Sequence, residues 1–116
     1  MYILIAFYKG GFVHPDLYTL DEILAEDNYW LEVKHNYIQW LFPLNKSSES
    51  VPSSPIINMW EVEQFRVSPE LKSKLMLSFQ RMLKFYGFKL AFDPDNHPIV
   101  VKGSNFEKRK PEWQDS

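Results

Sequence analysis

Residues 31–43 read Leu31-Glu32-Val33-Lys34-His35-Asn36-Tyr37-Ile38-Gln39-Trp40-Leu41-Phe42-Pro43, and this run decides how the rest of the chain is interpreted. Only a thin line of polar side chains interrupts its large apolar residues. A surface helix keeps one broad polar face, whereas a helix that is apolar on nearly all sides must be enclosed by other elements. We therefore predict that the run forms a helix at the centre of the fold.

The neighbouring residues set the bounds of this central helix. Pro43 lacks an amide hydrogen and disfavours helix at the residue before it, so the helix is predicted from about Tyr29 to Phe42. Upstream, Thr19-Leu20-Asp21-Glu22 has the spacing of a capping box. It predicts a separate helix that begins there and breaks at Asp27-Asn28.

Further helix signals follow the central run. Residues 44–57 are rich in Ser and Pro and are predicted as an exposed loop. Asn58-Met59-Trp60-Glu61 has the residue types of a second cap, which opens a short helix to about Phe65. Ser68-Pro69-Glu70 is a third start signal. Apolar residues then recur at helical spacing and predict a helix from Pro69 to Tyr86: Leu71, Leu75, Phe79, Met82, Leu83 and Tyr86.

The two ends of the chain are less uniform. Residues 2–9 fit a short buried helix or a strand, and Gly10-Gly11 ends that element. After Gly87 the pattern changes, and residues 88–92 and 98–101 flank a turn-rich segment that predicts a small β-hairpin. Residues 104–116 are predicted as a tail, and its two aromatic residues are expected either to pack against the protein or to belong to a longer continuation.

Composition indicates one folded domain. The chain has 116 residues, of which 45% are hydrophobic and 16% aromatic. A domain of this size buries about 65% of the surface of its unfolded chain. We predict that residues 1–116 form a single, mainly α domain, an orthogonal or irregular arrangement of about four helices with the small C-terminal hairpin.

Charge, cysteine content and hydropathy argue against several classes of protein and of site. The net charge of −2 argues against non-specific nucleic-acid binding, which depends on clustered cations. The absence of Cys excludes disulfides, thiolate zinc sites and a Cys nucleophile, and it fits an intracellular location. The apolar N-terminus is too short for a membrane span and lacks the basic start of a signal peptide. We predict a soluble, cytoplasmic protein, with a nuclear location as the alternative in a eukaryote.

The central run resembles the hallmark segment of the opioid growth factor receptor conserved-region family. Eleven of its thirteen residues carry the resemblance, all except Val33 and Lys34. Other segments are similar to further motifs of the same family, in order: Phe7-Tyr8, Thr19 to Leu24, Ser53 to Ile57 with Val62 and Phe65, Met82 to Gly87, and Asn105 to Arg109 with Trp113. The resemblance extends over the N-terminal part of the family's conserved region.

The family resemblance implies a mostly helical, intracellular domain. In the animal receptor this domain is tied to opioid peptide binding and nuclear growth control, a role that belongs to one branch of the family. Small relatives have no settled function. We therefore expect the fold to transfer to this chain, and not the receptor activity.

The polar line of the central run is the main candidate binding site. In a continuous helix Glu32, His35, Asn36 and Gln39 fall at i, i+3, i+4 and i+7 and share one face. They would line a groove to which Tyr37 and Trp40 add aromatic contact area. The alternative is that the line is the wetted side of the helix, because isolated polar strips usually face solvent.

Metal and catalytic signals are weak. Glu32 and His35 have the spacing of one di-iron motif, but such sites need two pairs and further Glu ligands. Residues 93–97 start like a calcium loop yet lack its Gly and final Glu, so a turn is predicted. The basic residues 108–110 are interpreted as solvated charge rather than a targeting patch. We predict no metal and no cofactor.

Two functional hypotheses of different class follow. The first is a module that binds a peptide or protein partner in a groove beside the central helix, without nucleic acid or membrane. The second is a metal-dependent or other enzyme that uses Glu32 and His35. A third alternative is a fragment that a partner chain completes, with self-association through exposed apolar surface.

Overall fold

A computed structural model describes residues 3–11, 18–34, 36–43 and 55–114. These residues form seven helices and one antiparallel pair of strands, so the chain is mainly α with a small C-terminal hairpin, as predicted. In chain order the elements are α1 (Ile3–Tyr8), α2 (Leu20–Ala25), α3 (Asn28–Val33), α4 (Ile38–Leu41), α5 (Met59–Val67), α6 (Pro69–Tyr86), β1 (Phe88–Phe92), β2 (Pro98–Lys102) and α7 (Phe106–Gln114). The chain divides into two compact units, residues 1–76 and 77–116.

The predicted continuous helix from Tyr29 to Phe42 is wrong, because two short helices, α3 and α4, replace it. Lys34 has extended backbone, with φ −88° and ψ 132°, and its amide donates to the Trp30 carbonyl to close α3. In a continuous helix the Leu31 carbonyl would accept the amide of residue 35. Here the Tyr37 hydroxyl donates to it at 2.7 Å. Burial of Tyr37, which is 0% exposed, therefore outweighs the local helical pattern.

A second tyrosine closes α4 in the same way. The Tyr8 hydroxyl donates to the carbonyl of Leu41, the last residue of α4, at 2.6 Å. The last carbonyls of a helix have no partner inside the helix and must find one elsewhere when they are buried. Tyr8 supplies that partner from α1, 33 residues away.

The N-terminal run forms the helix α1, which settles the helix-or-strand alternative. The Phe7 ring lies edge-on to Trp40 at 5.2 Å between centroids, and the Tyr8 ring lies edge-on to Phe65 at 5.0 Å. Side chains of the first unit that are at most 2% exposed complete its apolar core: Leu4, Phe7, Tyr8, Leu20, Ile23, Leu31, Tyr37, Leu41 and Leu71.

The predicted helix ends in this unit are confirmed. Gly10 has φ +84° and donates to Phe7, while Gly11 donates to Ala6, the two hydrogen bonds of a Schellman ending. Thr19 and Glu22 form the predicted capping box of α2, and Asn58 and Glu61 form that of α5. These local signals depend on residues three to five apart in sequence, which explains why sequence alone could identify them.

In the second unit, side chains around α7 cap the end of α6. Asn105 donates to the Lys84 carbonyl at 2.9 Å, and the Arg109 guanidinium donates to the Phe85 carbonyl at 2.7 Å. The Trp113 indole donates to the Tyr86 carbonyl at 2.9 Å. Three successive carbonyls at the end of α6 are thus satisfied from one neighbouring segment.

Gly87, the residue predicted to end α6, has φ +95°. A Cβ atom at this position would lie 2.9 Å from the Phe106 Cα and 3.1 Å from the Arg109 Cβ. Glycine is therefore required here for two independent reasons, the left-handed backbone and the close approach of α7.

The predicted hairpin is confirmed. Phe88 pairs with Lys102 and Phe92 with Pro98, which starts β2. Within the turn, the amides of Asp95 and His97 donate to the Asp93 Oδ1 at 3.0 and 2.8 Å, and the Asn96 amide donates to the Asp93 carbonyl at 2.9 Å. The segment is thus a turn, as predicted.

The segment predicted as a tail contains the helix α7, and its aromatic residues pack as expected. Phe106 is buried, and its ring lies 5.3 Å from Phe88. The Trp113 ring is stacked on Phe88 at 6.2 Å. The interpretation of residues 108–110 as solvated charge is wrong for Arg109, because its guanidinium lies over the Phe85 ring at 4.9 Å.

We expect Tyr8→Phe and Tyr37→Phe each to lower the free energy of unfolding by about 1–3 kcal/mol, because a buried carbonyl loses its donor. Denaturant unfolding measures the change. Tyr29→Phe on α3 is the matched control, since Tyr29 is 74% exposed, and should stay within about 0.5 kcal/mol of wild type. Equal stabilities for all three variants would contradict the structural role of the two hydroxyls.

Gly10→Ala and Gly87→Ala separate backbone strain from steric contact. Both positions have positive φ, but a Cβ at Gly10 meets nothing within 4 Å. Gly10→Ala should cost about 1–2 kcal/mol of stability from backbone strain. Gly87→Ala should exceed that cost by at least about 1 kcal/mol because of overpacking against α7. Thermal unfolding of the two variants tests this order, and a smaller loss for Gly87→Ala would refute the close contact.

Candidate functional site

The structure does not place the predicted polar line on one helix face. Glu32 is exposed on α3, whereas Asn36 and Gln39 are half-buried and lie beyond the extended residue Lys34. His35 lies outside the described residues. The helical spacing on which the shared face was based is therefore interrupted, and the role of these residues in binding stays a prediction.

The two aromatic members of the predicted groove lie in the core. Tyr37 is 0% exposed and Trp40 5% exposed. Their burial leaves them little surface to offer a ligand. Gln39 differs, because its Oε1 is buried and accepts no hydrogen bond from any described residue. A buried amide oxygen without a donor carries a desolvation cost that a bound ligand would remove.

An apolar cleft lies at the end of the central run, within the first unit. Its volume is about 240 Å³. Seven residues of α4, α5, α6 and the segments beside them line it, all with apolar side chains: Leu41, Phe42, Pro43, Ile57, Val62, Phe65 and Leu75. Pockets for whole drug-sized ligands measure roughly 300–1,000 Å³, so this cleft matches one or two side chains better than a complete small molecule.

The side chains that line the apolar cleft differ in their exposure to solvent. Leu41 is 0% exposed, and its carbonyl is fixed by the Tyr8 hydroxyl. Phe65 is half-buried against the Tyr8 ring. Val62 is 41% exposed and forms an open wall. The cleft therefore has a rigid apolar base and an accessible side, the geometry that accepts an apolar side chain from solution.

Large apolar side chains beside the cleft are also exposed to solvent. Met59 is 80% exposed and lies three residues before Val62, which makes the two neighbours on the surface of α5. Ile56 is 48% exposed, as is Trp60. Methionine is flexible and adapts to varied partner shapes. The cleft thus continues into exposed apolar surface along α5.

The charges on α5 lie around this apolar surface. Arg66 donates to Glu63 at 2.6 Å, and this hydrogen bond lowers the pKa of the Glu63 carboxyl and raises the pKa of Arg66. Both side chains are exposed, so the pair adds little to stability. Glu61 is only 2% exposed, and its Oε2 accepts no hydrogen bond from a described residue.

The first unit carries most of the negative charge of the chain. Residues 1–76 contain ten Asp and Glu against six Lys and Arg, a net charge of −4. Residues 77–116 contain five against seven, a net charge of +2. A net negative charge on the unit that holds the apolar cleft favours cationic partners.

Sequence reasoning placed a groove beside the central run but missed the residues that line the cleft. Ile57, Val62 and Phe65 were noted only for their family resemblance, and Leu75 only for its helical spacing. The available signal was α5 itself, whose exposed positions include apolar residues such as Val62 and Val67. Such a helix buries no complete apolar face of its own.

Among the described residues, one group of three metal-ligand-type side chains comes together, in the β1–β2 turn. The ligand atoms of Asp93, Asp95 and His97 lie within 4.8 Å of one another. Asp93 already accepts two backbone amides there, which explains the cluster as turn chemistry. Within the same part of the chain, no helix has the length and apolar character needed to cross a membrane.

Comparison with known proteins gives consistent matches. Residues 2–115 match the family described as the opioid growth factor receptor (OGFr) conserved region. The chain is 36% identical over 109 residues to the opioid growth factor receptor of Mus musculus, covering 90% of this chain and 17% of that protein. It is 38% identical over 98 residues to the opioid growth factor receptor of Homo sapiens, covering 82% of this chain and 14% of that protein.

A second group of relatives also matches. The opioid growth factor receptor-like protein 1 of Mus musculus is 32% identical over 107 residues, which covers 89% of this chain and 22% of that protein. The chain thus spans less than a quarter of the length of these relatives. No solved structure matches it significantly.

Proposed function

Because the chain belongs to the opioid growth factor receptor conserved-region family, we propose that it is a binding module that holds a peptide segment of a partner in the apolar cleft. The observation that carries the proposal is the cleft itself, which is lined by seven apolar side chains, among them the exposed Val62. The relatives are named as receptors, and a ligand-binding role for this chain is consistent with those names. An intracellular location is part of the proposal and fits the absence of Cys.

The chemistry of the cleft defines the peptide. Its volume of about 240 Å³ favours one Leu, Phe or Trp side chain as an anchor. The net charge of −4 on residues 1–76 favours Lys or Arg on either side of that anchor. We therefore propose a basic peptide with one large apolar residue, presented on the exposed apolar surface of α5.

The polar residues of the central run are a second element of the proposal. Gln39 offers a buried Oε1 that lacks a donor among the described residues. We propose that a backbone amide of the bound peptide donates to it, with Glu32, His35 and Asn36 forming the polar side of the groove. Self-association through exposed apolar residues, such as Leu77 and Phe92 at 54% and 60%, stays a prediction that sizing chromatography tests.

Synthetic peptides test the anchor. One series has a central Phe, Leu or Trp between lysines, and the control peptide has Ala at the centre. Only the first series should shift the methyl resonances of Leu41, Ile57, Val62 and Leu75 in a saturable way. Binding of the Ala peptide with equal affinity, or no saturable binding by any peptide, would refute the proposal.

Val62→Glu should weaken binding of the central-Phe peptide at least about tenfold, because a carboxylate enters the apolar wall. Val67→Glu is the matched control, since it makes the same change on the same helix at a residue that is 53% exposed and does not line the cleft. Titration of labelled peptide, followed by fluorescence anisotropy, measures both. Equal effects would show that charge on α5, rather than the cleft, determines binding.

Gln39→Leu distinguishes a binding role from a packing role. Removing an amide whose oxygen lacks a donor among the described residues should leave the free energy of unfolding unchanged or raise it by about 1 kcal/mol. If Gln39 accepts a peptide amide, the same change should still reduce peptide affinity several-fold. Unchanged affinity in a stable Gln39→Leu protein would remove the polar line from the site.

A further inference from the structure

The hairpin of the second unit has an open edge along β2. Within the part of the chain that the structure describes, β1 and β2 form a sheet of two strands, so each strand is paired on one side only. The first three residues of β2 are exposed, namely Pro98, Ile99 at 40% and Val100 at 49%. A strand edge with exposed apolar side chains is a template for pairing with another strand.

The hydrogen bonds of the hairpin show which backbone groups of β2 point to this edge. The Gly103 amide donates to the Gly87 carbonyl at 2.8 Å, one pair beyond the end of β2. Bonded and non-bonded pairs alternate in an antiparallel ladder. The backbone groups of Pro98, Val100 and Lys102 therefore point away from β1. Among the described residues, none outside the hairpin supplies a backbone partner to these outward groups.

The outward groups of β2 are complementary to those of a second β2. Because Pro98 has no amide hydrogen, a pairing strand must place a donor opposite Pro98 and needs no acceptor there. A second copy meets this requirement when the two strands run antiparallel with Val100 opposite Val100. The Lys102 amide of each copy then donates to the Pro98 carbonyl of the other. Four hydrogen bonds join the copies, two from the Val100 amides and two from the Lys102 amides.

The same register also matches the side chains. It aligns all five residues of β2 and places Ile99 opposite Val101 of the other copy. Together with the Val100 pair, these β-branched side chains are favourable cross-strand neighbours. Lys102 lies opposite Pro98 and not opposite a second lysine. A register shifted by one residue, with Val101 at the axis, would bring the two Lys102 side chains into diagonal contact distance.

We propose that a second copy of this chain pairs with the hairpin through β2, which gives a four-stranded sheet with a two-fold axis at Val100. A pair of five-residue strands is small beside the roughly 1,200–2,000 Å² of a standard interface, so the dimer is weak, with a Kd of about 0.01–1 mM. The β1 edge is less open, because Phe88 and Leu90 are half-buried and Phe88 packs on α7.

Sedimentation equilibrium of the wild-type chain between about 0.01 and 1 mM measures the association. A mixture of ¹³C-labelled and unlabelled chains tests the register. Ile99 and Val101 of different copies form the non-hydrogen-bonded pair, in which Cα atoms lie about 4.5 Å apart. We expect nuclear Overhauser effects between the Hα atoms of these two residues across the copies. A chain that stays monomeric at about 1 mM would overturn the proposal.

Charge substitutions test whether Val100 faces itself. Val100→Lys should raise the Kd at least about fivefold, because two ammonium groups then lie opposite each other at the axis, and Val100→Glu should do the same. An equimolar mixture of the two variants should recover wild-type affinity, since opposite charges then pair. Phe92→Lys is the matched control, because Phe92 is 60% exposed on the same face of the hairpin but lies on β1. It should change the Kd less than about twofold.

Two further results would overturn the proposal. Equal weakening by Val100→Lys and Phe92→Lys would assign the association to general apolar surface. A mixture of Val100→Lys and Val100→Glu that stays monomeric would show that Val100 does not face itself. Circular dichroism checks that each variant is folded. Neither result affects the peptide proposal, because β2 belongs to the second unit and none of its residues lines the apolar cleft.

Discussion

The fold of the first unit depends on two buried hydroxyl groups at the ends of short helices. A four-residue helix such as α4 has little stability of its own, because forming its first turn costs more backbone entropy than its few hydrogen bonds return. The Tyr8 hydroxyl at the Leu41 carbonyl and the Tyr37 hydroxyl at the Leu31 carbonyl let α4 and α3 end inside the core. Since Leu41 is also the base of the apolar cleft, the same interaction positions the proposed site.

The second unit solves the same problem with different donors. An amide, a guanidinium and an indole satisfy three successive carbonyls at the end of α6. These donors, Asn105, Arg109 and Trp113, belong to the segment whose sequence resembles the family's motif. The resemblance of this one segment thus corresponds to helix capping and packing. The proposed function rests instead on the apolar cleft and the polar residues of the central run.

Local signals were predictable from sequence, and contacts between distant segments were not. The caps at Thr19 and Asn58, the positive-φ Gly87 and the hairpin follow from residues close together in the chain. The break at Lys34 could not be predicted, because it depends on where the Tyr37 side chain is buried. The polar line was misplaced for the same reason, since its helical spacing assumed that no break occurs.

When a side chain caps a helix by donating to a backbone carbonyl, mutation is more restricted at the donor residue than at the residue whose carbonyl accepts. A donor position tolerates few residue types, because only some side chains reach and donate, whereas an acceptor position presents its carbonyl whatever its own side chain is. Lys84 shows the difference clearly. Its carbonyl accepts from Asn105 and from the Gly87 amide, while its side chain is exposed and forms neither of these hydrogen bonds. The capping hydrogen bonds at Lys84 therefore do not constrain which side chain occupies that position, whereas they do constrain Asn105.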